Sequence, residues 1–402
     1  MKAKTLIVLT LLAILLLSTF ACGGGGDGEE EGVTELKYGV GLPLTGQYGA
    51  AVGIPEKYAF NLANEKVGEF TVAGKQYRWK IIFEDNLGTA AGGTSSATKL
   101  IYEHHVDFML QTLKDPGMVA APMCEELGML CATSGAEIED FGPDRPHLFQ
   151  TSATFSLHAP IFFDWLTKEH PEVKRVAVSG PDDMTGRSIG EAIAAAAEHF
   201  GLEIVSKEYA PLGLAEYMPI ATKIASKNPD LFIGAFGGAL ESIYELMVAL
   251  GYEGLGASYY WTEAGAERIG WDICEGYIIF MPIPLGDIWP EATAFRDEYE
   301  DSYGLELAPS AFWAANVLFV LTDALKQAGT VDDIDKIIQT METEKFDTLI
   351  GPIGYGLEEL NGLARLAIYP TPIIQVVGKN QYELLHMYSP EETEALAVEV
   401  LK

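Results

Sequence analysis

Residues 36–66 near the amino terminus, LKYGVGLPLTGQYGAAVGIPEKYAFNLANEK, predict one βα unit. The apolar run Leu36–Leu42 predicts a buried strand that ends at Pro43. Ile54–Lys66 predicts a helix, because Pro55 suits its first turn and apolar residues recur along one face. A strand, a turn and a helix in this order indicate the first repeat of an α/β protein.

The alternation of short apolar strands and amphipathic helices continues along most of the chain. Before about residue 150, we predict elements at Tyr77–Glu84, Thr89–Glu103, Val106–Leu110, Met118–Leu127 and Met129–Ala132. After it, we predict elements at Arg175–Ser179, Ser188–Phe200, Glu203–Lys207, Ile220–Lys227, Leu231–Ala235 and Leu240–Leu250. Two such series indicate two parallel sheets with helices on both faces.

The pattern becomes helical from Trp289 onward, with helices predicted at Trp289–Tyr303, Ser310–Gln327 and Asp332–Glu342. Ser310–Gln327 is nearly continuous in apolar character and resembles a membrane span in length. Asp323 and Lys326 lie in its last turns, so we interpret it as a buried core helix.

The composition excludes several classes of protein. The 402 residues are 48% apolar and 21% charged, which is typical of a globular chain with a large core. The 58 acidic residues against 26 Lys and Arg give a formal net charge of −32. Such a surface repels phosphate backbones and anionic lipids, so we expect no nucleic-acid partner.

The first residues form a targeting segment. Lys2 and Lys4 precede the apolar run Thr5–Phe20, which is short for a membrane span and typical of a secretory signal. Cys22 and a Gly-rich acidic stretch follow, so the segment resembles a bacterial lipoprotein signal. The resemblance implies a signal peptide at 1–21, a lipidated Cys22 and a flexible tether at 22–33. Ordinary secretion and an uncleaved anchor are the alternatives.

The remaining cysteines and the histidines match no metal-ligand spacing. Cys124, Cys131 and Cys274 are best interpreted as buried apolar side chains, with a Cys124–Cys131 bridge left open. We therefore predict no metal and no cofactor.

A possible nucleophile elbow lies at residues 186–190, GRSIG, which fit the G-x-S-x-G pattern. An elbow places its serine immediately after a strand, whereas the strand before Ser188 ends near Ser179. We therefore interpret Ser188 as a helix cap and keep a secreted serine hydrolase as a minor alternative.

Several short motifs, in order, resemble the leucine/isoleucine/valine-binding family of solute-binding proteins. They are YGVGLPLTG at 38–46, FEDN at 83–86, AAP at 120–122, EELGML at 125–130, LFQTS at 148–152, WTE at 261–263, GY at 276–277 and GPIG at 351–354. The resemblance extends over nearly all of residues 34–380. It implies two doubly wound α/β lobes joined by three hinge crossovers, near 150–154, 276–282 and 351–357. Lobe 1 would be 34–150 and 282–351, and lobe 2 would be 151–281 and 352–402.

The same resemblance implies a ligand site between the lobes. From lobe 1 it would use Thr45, Tyr48, Leu113, Lys114, Asp115, Ser134, Gly135 and Glu137. Lys114 either offers a charge to a ligand carboxylate or is solvated beside a turn at Asp115. From lobe 2 the site would use Thr185, Phe236, Gly237, Trp261 and Glu263. Glu263 stands where amino-acid binders hold the ligand ammonium, or it is a surface acid.

The function implied by the family is capture rather than catalysis. The lobes would close over an amino acid, an amide or a carboxylate and deliver it to the permease of an ABC importer of the branched-chain amino acid type. The chain would act outside the cytoplasm as a monomer, in the periplasm or on the outer face of the cell membrane, and would touch the membrane only through its lipid anchor. A ligand-sensing receptor domain is the alternative of a different class.

Overall fold

The computed structural model describes residues 32–182, 184–211, 213–234 and 238–402. Cys22, the signal segment and almost all of the tether therefore lie outside the described residues, as do Phe236 and Gly237. Residues Thr34–Lys402 form one compact unit. Its strands make two sheets in the described part, and helices cover both.

The strands are β1 Thr34–Leu42, β2 Glu69–Val72, β3 Lys75–Asp85, β4 Phe108–Gln111, β5 Cys131–Thr133, β6 Leu148–Gln150, β7 Arg175–Pro181, β8 Glu203–Ala210, β9 Leu231–Gly234, β10 Leu255–Ser258, β11 Ile278–Ile279, β12 Phe346–Thr348, β13 Gly351–Gly356, β14 Leu366–Ile368, β15 Thr371–Gly378 and β16 Gln381–Tyr388. The α-helices are α1 Ile54–Val67, α2 Ala90–Thr98, α3 Lys114–Leu127, α4 Phe155–Glu169, α5 Met184–His199, α6 Met218–Ala225, α7 Gly238–Ala249, α8 Glu263–Ile269, α9 Trp271–Cys274, α10 Pro290–Tyr303, α11 Pro309–Ala328, α12 Ile334–Thr343, α13 Glu358–Asn361 and α14 Pro390–Leu401.

The first sheet has the order β12-β13-β14-β6-β5-β4-β1-β3-β2 among the described strands. The strand β1 pairs in parallel with both β3 and β4, so the chain winds outward in two directions from it. This confirms the predicted doubly wound arrangement for lobe 1. All four residues of β4 are buried, as expected for a central parallel strand whose two faces carry helices.

The second sheet has the order β16-β15-β11-β10-β9-β7-β8 in the described part of the chain. Here β7 pairs in parallel with β8 on one side and β9 on the other, which gives lobe 2 the same winding. Antiparallel β15 and β16 complete this sheet at its edge.

Within the described residues, the chain passes between the sheets at three places, as the family resemblance implied. The first passage follows β6 and the second follows β11, close to the predicted positions. The third was expected near 351–357, but β13 and β14 still pair within the first sheet. Residues 351–354 instead form a hairpin with β12, and the chain crosses only between Ile368 and Thr371. The lobe 1 boundary therefore extends beyond residue 351.

The apolar segment at 310–327 is a buried core helix, as predicted. It forms most of α11, which packs along α1 of lobe 1. Trp79 donates a hydrogen bond from Nε1 to Oγ1 of Thr322 on this helix, at 2.8 Å. Among the described helices, none is long and apolar enough to cross a bilayer.

Cys124, Cys131 and Cys274 are buried and carry free thiols, which confirms their interpretation as small core residues. The bridge left open between Cys124 and Cys131 is not formed. Ser188 lies one turn inside α5, so it neither caps that helix nor occupies the turn of a nucleophile elbow.

Candidate functional site

A largely apolar cavity opens where the carboxyl ends of β1, β4 and β5 meet the second lobe. Its empty space is about 820 Å³, a figure that includes solvent at its opening. Lobe 1 contributes Tyr48, Val52, Glu56, Leu110, Thr112, Leu113, Ser134 and Gly135, and from α11 Ser310, Trp313, Ala314 and Val317. The first crossing contributes Ser152, Ala153 and Phe155, and lobe 2 contributes Tyr260.

The parallel topology explains this position. Strands β1, β4 and β5 lie side by side and run in one direction, so the segments that follow them converge at one edge of the sheet. Tyr48 follows β1, Leu113 follows β4, and Ser134 and Gly135 follow β5. The structure thus brings four of the residues implied by the family resemblance to one cavity.

Backbone conformation shapes the wall formed by these loops. Leu113 and Gly135 both have positive φ angles, of 74° and 73°. The Leu113 amide donates a hydrogen bond to Oγ of Ser134 at 3.2 Å, which joins the two loops. A left-handed leucine is costly, so this conformation is held by its surroundings at the edge of the cavity.

Aromatic rings from several elements enclose the cavity. Phe155 and Trp313 meet edge to face with ring centroids 6.4 Å apart. Trp313 also donates from Nε1 to the Pro282 carbonyl at 3.4 Å, so the second crossing fixes its ring. Tyr48 and Tyr260 face the cavity from lobe 1 and lobe 2. A flat or branched apolar solute would fit between such walls.

Glu56 is an acid in this wall that sequence reasoning did not identify. It lies in the first turn of α1 and is 3% exposed. Thr112 donates a hydrogen bond from Oγ1 to Oε2 of Glu56 at 2.7 Å. Burial raises the pKa of Glu56 to about 8, and the Thr112 hydrogen bond opposes the rise only in part. The position of Glu56 directly after Pro55 places it in the first turn of α1, behind the first loop, but does not show whether it faces the cavity or solvent.

Four expected residues of lobe 1 lie outside the described lining of the cavity, namely Thr45, Lys114, Asp115 and Glu137. Thr45 donates to Oδ2 of Asp85 at 2.6 Å in an exposed position. Lys114 pairs with Asp140, its Nζ 2.8 Å from Oδ2, and so forms an ion pair within lobe 1. Asp115 is exposed in the first turn of α3.

Glu137 is buried at the first crossing between the lobes and does not belong to the described cavity lining. Its Oε2 accepts hydrogen bonds from the Ser156 amide at 3.2 Å and from the Ser156 hydroxyl at 2.5 Å, at the start of α4. Its Oε1 is buried without a partner among the described residues. Burial raises the pKa of Glu137 to about 7. This acid of lobe 1 therefore holds the first helix of lobe 2.

Trp261 and Glu263 pair with a neighbouring tyrosine of lobe 2 rather than with the cavity. Trp261 donates from Nε1 to the hydroxyl oxygen of Tyr382 at 3.3 Å, and that hydroxyl donates to Oε1 of Glu263 at 3.0 Å. The ammonium-binding role implied for Glu263 therefore finds no support in its position. Thr185 lies in α5, and its side chain is outside the described part of the structure.

Two α/β lobes, joined by crossing segments and enclosing a cavity at the ends of their strands, define a ligand-binding protein of the hinged type. Residues 35–374 match a family model described as periplasmic binding protein. The chain belongs to this family, whose members act outside the cytoplasm. A search of curated protein sequences gave no match.

Solved structures of related fold cover most of the chain. A solute-binding protein of an ABC transporter from Rhodopseudomonas palustris HaA2, in complex with p-hydroxybenzoic acid, is 18% identical, with a TM-score of 0.76 over 90% of this chain and 99% of that one. One from R. palustris BisB5, in complex with 3,4-dihydroxybenzoic acid, is 20% identical, with a TM-score of 0.72 over 89% and 98%. A leucine-binding protein from Thermotoga maritima is 18% identical, with a TM-score of 0.71 over 89% and 99%.

Proposed function

We propose that the chain is the extracytoplasmic solute-binding component of an ABC importer, of the branched-chain amino acid type, and that it captures a small organic solute between its lobes. The cavity is the observation that carries this proposal, because lobe 1, the first crossing and lobe 2 all line it. Related structures hold hydroxybenzoates, and another is a leucine-binding protein, so an amino acid, amide or carboxylate of that size fits the proposal.

Closure of the lobes is the proposed mechanism. The loop before α11 in lobe 1 reaches α8 in lobe 2, where the Glu306 carboxylate accepts hydrogen bonds from the Glu263 and Ala264 amides at 2.7 and 3.0 Å. Ser188 of lobe 2 donates to Glu139 of lobe 1 at 3.4 Å. A solute that contacts both lobes would favour this closed arrangement, which the permease would then recognise.

A thermal-shift screen of the mature chain tests the proposal. The panel contains amino acids, amides, carboxylates and amines with aromatic or branched apolar bodies. At least one member should raise the melting temperature in a saturable way and bind with a stoichiometry of one by calorimetry. A panel without any binder, or chemical turnover of a bound compound, would contradict the proposal.

We also propose that Cys22 carries a lipid anchor and that the mature chain works as a monomer on the outer side of a membrane. Metabolic labelling with a fatty-acid analogue should mark the wild type and leave Cys22→Ser unmarked. Absence of label on the wild type would reject the anchor without affecting the ligand-binding proposal.

A further inference from the structure

The Glu56 carboxyl lines the cavity, and one of its two oxygens accepts no hydrogen bond from the described residues. Its Oε2 accepts the Thr112 hydroxyl, whereas within the described residues Oε1 accepts no hydrogen bond. The group is 3% exposed and belongs to the cavity lining. A buried carboxyl that lines a cavity and has an unpaired oxygen can be paired by a polar group of a solute in that cavity.

None of the described residues supplies a cation that pairs with the Glu56 carboxyl. The described lining of the cavity contains no Lys, Arg or His. Lys114, the basic residue that follows the lining residue Leu113, is already paired with Asp140. Because buried charges in proteins are paired, an ionised Glu56 would require a positive group from the solute.

The remaining walls favour a cation and disfavour an anion. Tyr48, Phe155, Tyr260 and Trp313 present aromatic rings, and the faces of such rings attract cations. The pKa of Tyr260 is raised by burial first and then by the negative charges of Glu306, Glu56 and Glu241. The cavity is therefore an electronegative environment with an apolar surface.

We propose that Glu56 binds the ammonium group of the solute, and that the solute is a protonated amine, an amino acid included, with an aromatic or branched apolar body. This inference rests on the proposed function and adds the chemical class of the solute to it. It also transfers the ammonium-binding role from Glu263, which lies elsewhere in lobe 2, to helix α1 of lobe 1.

Binding of an ammonium solute is coupled to the loss of a proton from Glu56. In the empty cavity Glu56 is largely protonated at pH 7, since burial raises its pKa to about 8. An ammonium solute binds the ionised form, so Glu56 loses a proton and the affinity rises with pH, by about tenfold from pH 6 to 7 and about fivefold from pH 7 to 8. Among the described residues, the titratable groups near Glu56 on other elements are Tyr48 after β1, Tyr260, Tyr299 on α10 and, beyond Tyr260, Glu306. Tyr260 and Tyr299 stay neutral over this range because burial raises their pKa values.

The test uses solutes that differ only in the polar head. 2-Phenylethylamine, 3-phenylpropanamide and 3-phenylpropanoate form one series, the isobutyl analogues form a second, and phenylalanine and leucine carry both charged heads. Calorimetry of the full mature chain at pH 6, 7 and 8 should rank the ammonium-bearing members above the amides and carboxylates. Their affinity should rise with pH, and calorimetry in buffers of different ionisation enthalpy should report proton release.

The matched variants are Glu56→Gln and Glu125→Gln. Glu56→Gln keeps the size of the side chain and a partner for Thr112, and should weaken ammonium binding by about tenfold to a hundredfold and abolish the pH dependence. Glu125→Gln removes a half-buried acid that pairs with His147 outside the described cavity lining, and should leave the ranking unchanged.

Carboxylates that outrank amines, or amine binding that Glu56→Gln leaves intact, would overturn the inference while leaving the proposed function standing. A panel in which no member binds would overturn the proposed function itself, and the inference with it.

Discussion

Thr112 is, among the described residues, the hydrogen-bond donor to Glu56, and the 2.7 Å contact is buried at both ends. Thr112→Val keeps the shape of the side chain and removes the donor. The free energy of unfolding should fall by about 1–3 kcal/mol, because a buried carboxyl loses its hydrogen bond. Urea denaturation of wild type and variant at pH 8 measures the difference.

Thr45→Val is the matched control for this change. Its hydroxyl also donates to a carboxylate, on Asp85, but in an exposed position where water replaces the lost bond. Its cost should be clearly smaller than that of Thr112→Val. Equal costs for the two variants would contradict the burial and strength of the Thr112–Glu56 contact.

Glu137 makes stability depend on pH. Its pKa is raised from 4.5 to about 7, so the folded state binds the proton more tightly than the unfolded state does. The resulting stability is present below pH 4.5 and is lost as the pH rises through 7. As the pH rises from 5 to 8, the free energy of unfolding of Glu137→Gln should therefore increase by roughly 1–3 kcal/mol relative to that of wild type. Urea denaturation of both proteins at both pH values measures this change. A constant difference between the two proteins would contradict the assignment.

Only some of the residues that line the cavity could be predicted from the sequence. The family resemblance implied Tyr48, Leu113, Ser134 and Gly135, and they line the cavity because residues that follow parallel strands lie at one edge of the sheet. Glu56 was missed, since whether a helical acid faces a cavity or solvent depends on the packing angle of α1. Glu263 was assigned to the ligand through the family resemblance, and no pattern in the sequence reveals its hydrogen bond with Tyr382.

At the scale of elements, helix α8 connects the two lobes. The carboxylate of Glu306 in lobe 1 accepts hydrogen bonds from the backbone amides of the first two residues of α8. None of the residues in this contact lines the described cavity. Glu306→Ala should weaken solute binding by about threefold to thirtyfold, because the closed arrangement loses a charge-assisted contact. Calorimetry with any binder from the screen measures the loss.

Glu298→Ala is the control for this contact. Glu298 is an exposed acid that pairs with Lys66 inside lobe 1, so its removal should leave solute affinity unchanged. If both variants bind as well as the wild type, the Glu306 contact does not stabilise closure.

The alternation of strands and helices was predictable because apolar periodicity reports burial directly. The third crossing was not, because the Gly-Pro-Ile-Gly segment suits a crossover and a hairpin equally well. Its pairing with Phe346–Thr348 is a tertiary contact that local sequence does not encode. The result is a first sheet that extends to Ile368.

At the scale of the whole molecule, the two lobes meet over one cavity, and this juxtaposition was predictable only through the family resemblance. Periodicity indicated two series of strands, but which crossings join them is a property of topology. The sequence did not predict the ammonium head group proposed for the solute, since that proposal depends on the charges around the cavity and not on any motif.

Small-angle X-ray scattering during a titration measures whether the lobes close when the solute binds. With a binder from the screen, the radius of gyration of the mature chain should fall saturably, reach its limit at one solute per chain and return when the solute is removed unchanged. A radius of gyration that stays constant at full saturation would contradict closure of the lobes over the solute.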